Sequence, residues 1–95
     1  MAASLTHSDF QQHVGKVFRF AGSHVALRLT KVEVREPYPG IDRIPFSAIF
    51  EGPPGDILPE GLYQAGIEGG GELEFYIIPV HTPQRDRQDY QAVFS

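Results

Sequence analysis

The stretch from Ile44 to Val80, IPFSAIFEGPPGDILPEGLYQAGIEGGGELEFYIIPV, decides the fold of this chain. It contains three apolar runs separated by segments rich in glycine and proline. In the first run Phe46 and Phe50 fall on one side of a strand, whereas Ser47 and Glu51 fall on the other. This period of two is typical of a strand with one buried face. The stretch therefore predicts three β-strands joined by turns.

The third run, Glu72–Val80, alternates in the same way as the first. Its apolar residues face one side of the predicted strand, and Glu72 and Glu74 face the other. Three glycines, Gly69–Gly71, come directly before it. Because glycine adopts positive φ freely, these residues predict a tight hairpin connection between the second and third runs.

Two further strands flank this centre. Lys16–Ala21 predicts a first strand with Phe18 and Phe20 on its inner face. Asp89–Ser95 predicts a last strand in which apolar residues again alternate. We expect this last strand to be paired inside the sheet, since its apolar face needs a core to pack against.

The longest strand-like run extends over residues 24–36. The apolar residues of its first half share one face, whereas Val32 and Val34 have the opposite parity. A β-bulge at residues 30–31 would keep both halves facing one core and would bend the strand. The alternative is a strand that crosses between two packed layers.

A short helix is predicted over residues 7–14. Thr6 is a good N-cap residue, and Asp9 lies three positions later, as in a capping box. Phe10 and Val14 fall four residues apart on one face. Since so short a helix is unstable alone, we expect it to dock on the sheet through these two side chains.

These elements predict an all-β domain with one short N-terminal helix. Six strands with short connections favour an antiparallel meander, which forms either a small barrel or a two-layer sandwich. Closure of a barrel by pairing the first and last strands would remove exposed edges. We predict a single domain over 1–95, with a lead-in over 1–5 and the β meander over 16–95.

The composition narrows the classes of function. The formal net charge is −4, cysteine is absent, and no lysine- or arginine-rich cluster is present to neutralise phosphates. These properties argue against nucleic-acid binding, disulfides and thiolate metal sites. The first residues lack the basic and apolar regions of a signal peptide, and no apolar run reaches the roughly 18 residues of a membrane helix. We therefore expect a cytoplasmic protein with no membrane contact.

Residues that could perform chemistry are present but are not grouped by the sequence. They are His7, His13, His24 and His81, the pairs Glu33/Glu36, Glu72/Glu74 and Asp86/Asp89, and Ser47. The histidine spacings do not fit a metal site, and the serine lacks the flanking glycines of a nucleophile elbow. The three glycines lack the lysine and helix of a phosphate-binding loop. We predict no catalytic residue, no metal and no cofactor.

Two tyrosines differ from the aromatic residues on inner faces. Tyr38 lies in a loop with proline and glycine, and Tyr76 shares a strand face with Glu72 and Glu74. Tyrosine is enriched at protein interfaces, because it combines a large apolar area with a polar group. These four residues are the predicted interaction surface.

The chain resembles an uncharacterised bacterial family of small proteins, a domain of unknown function, over nearly its whole length from Phe10. The resemblance is carried by short motifs in a fixed order, namely Pro45-Phe46-Ser47 with Phe50, Gly52-Pro53, Leu58-Pro59, Gly61, Tyr63, Leu73, Phe75, Pro79 and Tyr90–Phe94. The chain departs from the family pattern at Glu60, where glutamine is usual, and at Ser95, where asparagine is usual. The resemblance implies no known activity and suggests genes near those of phage-tail-like proteins.

The predicted function is a non-enzymatic structural or interaction module that binds a protein partner or another copy of itself. The resemblance suggests an accessory subunit of a phage-tail-like assembly. One alternative is a small ligand-binding barrel whose mouth is formed by loops 37–43, 53–60 and 81–87. A further alternative is a hydrolase with an unfamiliar site, in which Ser47 or Glu74 would act.

Overall fold

The computed structural model describes residues 5–36, 39–40 and 44–94. Its elements, in chain order, are α1 (His7–Gln11), β1 (Val17–Phe20), β2 (Ala26–Val34), β3 (Phe46–Gly52), β4 (Gly61–Ile67), β5 (Glu72–Pro79) and β6 (Gln88–Phe94). Every strand pairing is antiparallel. The prediction of an all-β fold with one short helix is confirmed.

The six strands form a closed barrel in the order β1-β2-β3-β6-β5-β4, so the barrel alternative is confirmed over the sandwich. The prediction that the first and last strands close the barrel is wrong, because β1 pairs with β4. The last strand lies instead between β3 and β5, as its predicted interior pairing requires. Two three-stranded meanders, β1–β3 and β4–β6, therefore stand side by side, and the segment 53–60 crosses one end of the barrel between them.

Aromatic side chains fill the interior of the barrel. Phe50 and Phe75 stack with ring centroids 5.6 Å apart, and Phe18 meets Phe50 edge to face at 5.1 Å. These three rings belong to β1, β3 and β5, and all are buried. The core joins strands from the whole circumference, which fixes the register of each strand against the others.

The predicted bulge in β2 is present, since the pairing of β2 with β3 shifts between Leu29 and Lys31. The hydroxyl of Thr30 donates a hydrogen bond to the carbonyl of Ile49 at 3.0 Å, which ties the bulge to β3. Val32 packs against the core as predicted, but the prediction that Val34 does so is wrong. Val34 is the last residue of β2, and at this rim of the barrel it remains half exposed.

The helix begins where the sequence predicts and ends earlier. The carboxylate of Asp9 accepts a hydrogen bond from the backbone N–H of Thr6 at 2.8 Å, and Phe10 is fully buried. The helix ends at Gln11, so the predicted docking of Val14 is wrong and its side chain is exposed. The Gly15 N–H, at a positive φ of 92°, donates to the Leu29 carbonyl at 2.7 Å and directs the chain into β1.

The loops predicted to share one mouth lie at opposite ends of the barrel. Gly52 pairs with Gln88, so the segments after β3 and before β6 meet at one end. Val34 pairs with Phe46 at the other end, where the chain passes from β2 to β3. Antiparallel strand direction therefore separates the loop 37–43 from the other two, and residues 37–38 and 41–43 lie outside the described residues.

Candidate interaction surface

Exposed apolar side chains lie side by side on the outer face of β4 and β5. Leu62 and Tyr76 are directly opposite each other in the ladder, and they are 63% and 48% exposed. Val93, on the outside of β6, is 45% exposed. Strand alternation places Leu62 and Tyr76 on the solvent side of the sheet, where they form a contiguous apolar pair.

Carboxylates flank this apolar pair along β5. Glu72 and Glu74 are exposed on the same face as Tyr76, as predicted. The Glu72 carboxylate accepts a hydrogen bond from the side-chain amide of Gln64 at 3.0 Å, while Gln64 lies opposite Glu74 in the ladder. We define the β4–β5 outer face as Leu62, Gln64, Glu72, Glu74 and Tyr76.

The ring of Tyr76 is fixed by a contact with the loop that crosses the barrel end. Its hydroxyl donates a hydrogen bond to the Glu60 carboxylate at 2.8 Å. This hydrogen bond to Glu60 is the main cause of a raised Tyr76 pKa, because it stabilises the protonated phenol and the carboxylate repels a phenolate. The aromatic face is therefore presented in one orientation instead of being free to rotate.

Three tyrosines from three strands hold the segment Leu58-Pro59-Glu60. Tyr90, which is fully buried, accepts a hydrogen bond from the Leu58 N–H at 2.8 Å. Tyr63 donates to the Pro59 carbonyl at 2.7 Å, next to the contact of Tyr76 with Glu60. Burial raises the pKa of Tyr90, and the buried side chain of Leu58 helps to close this end of the barrel.

Sequence reasoning missed this arrangement, which we call the tyrosine clamp. Tyr63 and Tyr90 belong to the motifs that carry the family resemblance, but those motifs did not identify the loop as their common partner. The available signal was the apolar pair Ile57-Leu58, which lies between two proline-containing turns. Apolar residues in such a segment indicate a loop that packs back on the core.

The structure brings together three of the four residues of the predicted interaction surface. The structure brings Glu72, Glu74 and Tyr76 together on one face of β5, whereas Tyr38 lies outside the described residues. Leu62 was not predicted as part of the surface. Its parity in β4 nevertheless puts it on the outer face of the strand, since Ala65 and Ile67 face inward.

Apart from Glu72 and Glu74, the residues considered for catalysis lie away from the β4–β5 outer face. Ser47 is buried, and its hydroxyl accepts a hydrogen bond from the guanidinium of Arg35. His24 lies 2.7 Å from the Asp56 carboxylate, and both side chains are exposed at the barrel end. Among the described residues, no group of three or more histidine, aspartate or glutamate side chains is placed to hold a metal ion.

A surface depression of about 280 Å³ lies on the other side of the barrel. Arg28 and Arg87 line it together with Glu51 and Asp86, so it carries charges of both signs. The Arg87 guanidinium is already held by Asp89 at 2.8 Å, and Arg28 donates to the Gly15 carbonyl at 3.1 Å. Both arginines of the depression are thus already engaged, and Arg87 also lies 3.9 Å from the Glu51 carboxylate.

No helix in the described ranges has the length and apolarity needed to cross a membrane.

Comparison with known proteins identifies one family. The family described as a domain of unknown function (DUF6916) matches residues 5–94, nearly the whole chain. No curated protein and no solved structure matches the chain.

Proposed function

The chain belongs to the DUF6916 family of domains of unknown function, and from that premise we propose that it is a non-enzymatic interaction module whose β4–β5 outer face binds a protein partner. The observation that carries this proposal is the pairing of exposed Leu62 with exposed Tyr76 between carboxylates. Interfaces combine an apolar centre with a polar rim, and tyrosine is enriched in them.

The charges of this face indicate the chemistry of the partner. Glu60, Glu72 and Glu74 place three exposed acidic side chains around the apolar pair. A complementary surface has an apolar side chain between lysines or arginines, since complementary charge raises association rates and disfavours wrong partners. The net charge of −4 strengthens this preference for a basic partner.

The setting that we propose is a larger protein assembly, of which this chain is an accessory subunit. The family resemblance supports a phage-tail-like assembly as that setting. The alternative of a ligand-binding barrel has less support, because the interior is filled by phenylalanines and the three predicted mouth loops lie at two ends. A hydrolase that uses Ser47 would have to release its hydroxyl from Arg35.

Site-specific photo-crosslinking in cells that express the native partner proteins tests the proposal. A photo-reactive residue at Leu62 is compared with one at Glu33, which is exposed on β2 on the far side of the barrel. We expect a discrete adduct from position 62 only, and its mass spectrum should identify a partner segment with lysine or arginine beside an apolar residue. Equal adducts at both positions, or none at position 62, would refute the proposal.

A further inference from the structure

Gly66 in β4 is a glycine for which the described part of the fold shows no use. Of the ten glycines in the chain, seven have positive φ values, which glycine adopts freely. A Cβ at Gly52 would lie 2.4 Å from the buried Leu27 side chain, and Gly61 lies against the ring of Tyr63. Gly66 does not have a positive φ, and beyond its chain neighbours a Cβ there would meet no described atom within 4 Å. Neither backbone conformation nor packing therefore requires glycine at this position.

A β-bulge does not account for Gly66 either. Gly66 pairs with Arg19 on one side and with Glu72 on the other, and the register on both sides is regular. In a regular strand glycine is less favourable than alanine, since it loses more conformational freedom on folding. Glycine in a strand also lets a ligand or another chain approach the backbone closely, and this role fits the open space at Gly66.

The place of Gly66 in the sheet creates a notch on the outer surface of the barrel. Its neighbours Ala65 and Ile67 are buried, so the side of Gly66 that lacks a side chain is the outer one. The flanking residues of the same row are Arg19 on β1 and Glu72 on β5, one basic and one acidic, and both are exposed. Two strand spacings, about 10 Å, separate them, and bare backbone lies between. We call this site, formed by Arg19, Gly66 and Glu72, the Gly66 notch.

We propose that the Gly66 notch receives a tryptophan side chain of the partner. This inference rests on the proposed function, because Glu72 belongs to the β4–β5 outer face. A planar ring can lie flat on the bare backbone, whereas a side chain at position 66 would hold it away. The guanidinium of Arg19 can then lie against the face of the ring. The Glu72 carboxylate, which is oriented by the Gln64 amide at 3.0 Å, can accept the indole N–H, and this donor needs a partner when it is buried.

The notch enlarges a surface that is small when Leu62 and Tyr76 are taken alone. A standard protein interface buries about 800 Å² on each partner, which is more than one apolar pair provides. Gly66 follows Leu62 by four residues on β4, about 13 Å along the strand, so one partner can cover both places. Arg19 also gives the partner a direction. Residues 53–80 contain five acidic residues and no lysine, arginine or histidine, and Arg19 is a basic group at the edge of this acidic surface.

Urea unfolding of Gly66→Ala and Gly66→Val is the first test and needs no ligand. We expect transition midpoints at or above that of the unchanged protein, since the new side chains have open space and valine favours strands. Gly52→Ala, in which the Cβ would overlap Leu27, is the control and should unfold at lower urea. A lower midpoint for Gly66→Ala would show that this glycine serves a bend in β4 and would overturn the inference.

Titration of the isotope-labelled protein with N-acetyl-tryptophanamide, followed by amide NMR, is the second test. Ring-current shifts should centre on the amides of Arg19, Gly66 and Glu72. Gly66→Val, which fills the notch, should abolish the shifts at Arg19 and Glu72. Arg19→Gln removes the cation that lies against the ring, and it should weaken binding about two- to fivefold. N-acetyl-leucinamide, which has no ring, should leave all three amides unshifted.

The tryptophan inference and the outer-face proposal fail separately. The inference is overturned if Gly66 does not shift up to the solubility of the tryptophan compound, if the leucine compound gives equal shifts, or if Gly66→Val binds as before. In each of these cases an adduct from position 62 would still support the outer face. Absence of that adduct refutes the outer-face proposal, and the partner tryptophan then loses its support even where the indole compound binds.

Discussion

Tyr90→Phe tests the tyrosine clamp by the removal of a single oxygen atom. The Tyr90 hydroxyl accepts the Leu58 N–H at 2.8 Å, and both residues are completely buried. The phenylalanine ring would keep the packing but leave the Leu58 N–H without an acceptor in a place that water does not reach. An unpaired buried donor costs its full desolvation free energy, about 1–3 kcal/mol.

Tyr63→Phe is the matched control within the same clamp. Its hydroxyl donates to the Pro59 carbonyl at 2.7 Å, but this hydrogen bond is exposed. Water can replace the lost donor at the carbonyl, so we expect a loss of less than about 1 kcal/mol. The two variants therefore remove the same atom from neighbouring contacts, and they differ in whether the former partner is solvated.

Urea unfolding followed by circular dichroism measures both variants. We expect a lower transition midpoint for Tyr90→Phe with an unchanged slope, since the surface exposed on unfolding is the same. In a domain of this size the corresponding fall in Tm is at least roughly 4 °C. Equal losses in Tyr90→Phe and Tyr63→Phe would refute the conclusion that the buried Leu58 N–H depends on the Tyr90 hydroxyl.

Three further outcomes follow from the packing and from the pKa shifts. A Cβ at Gly52 would overlap a buried leucine of β2, so Gly52→Ala should cost about 1–3 kcal/mol in urea unfolding, whereas Gly66→Ala, with open space around it, should be neutral or slightly stabilising. Phe50→Ala should cost about 3–5 kcal/mol in the same assay, since Phe50 is fully buried, and a loss below 1 kcal/mol would contradict its place in the core. Glu60→Gln should lower the raised pKa of Tyr76, as followed by ultraviolet titration against Tyr76→Phe. Because the pKa of Tyr76 is raised in the folded state, its hydrogen bond to Glu60 stabilises the fold fully below about pH 10. This contribution to folding stability is lost as the pH rises through the folded-state pKa of Tyr76.

The sequence predicts local structure well because alternation is a local property. The parity of Phe46 and Phe50, the bulge after Leu29 and the glycine hairpin each follow from neighbouring residues, and the structure confirms them. Pairing between distant strands is not encoded in this way. β1 pairs with β4 through contacts such as Phe18↔Ile67, and no periodicity within either strand distinguishes that partner from β6.

The surface residues were predictable for the same reason, and only in part. Alternation placed Tyr76 beside Glu72 and Glu74, and the structure confirms that these three share one exposed face. It did not reveal that Leu62 lies directly opposite Tyr76, because this neighbour depends on the register set by the hairpin. The errors at Val14 and Val34 have a common cause. Val14 lies beyond the end of the helix and Val34 is the last residue of β2, so the periodicity of the element no longer determines their burial.

The exposed apolar pair on β4 and β5 is a departure from local consistency. Polar residues in place of Leu62 and Tyr76 would suit water better. Sequences tend to break such rules where function requires it, and otherwise satisfy them throughout the core. A partner whose apolar side chain covers Leu62 and Tyr76, and whose basic groups lie beside Glu72 and Glu74, would remove this departure by burying the pair.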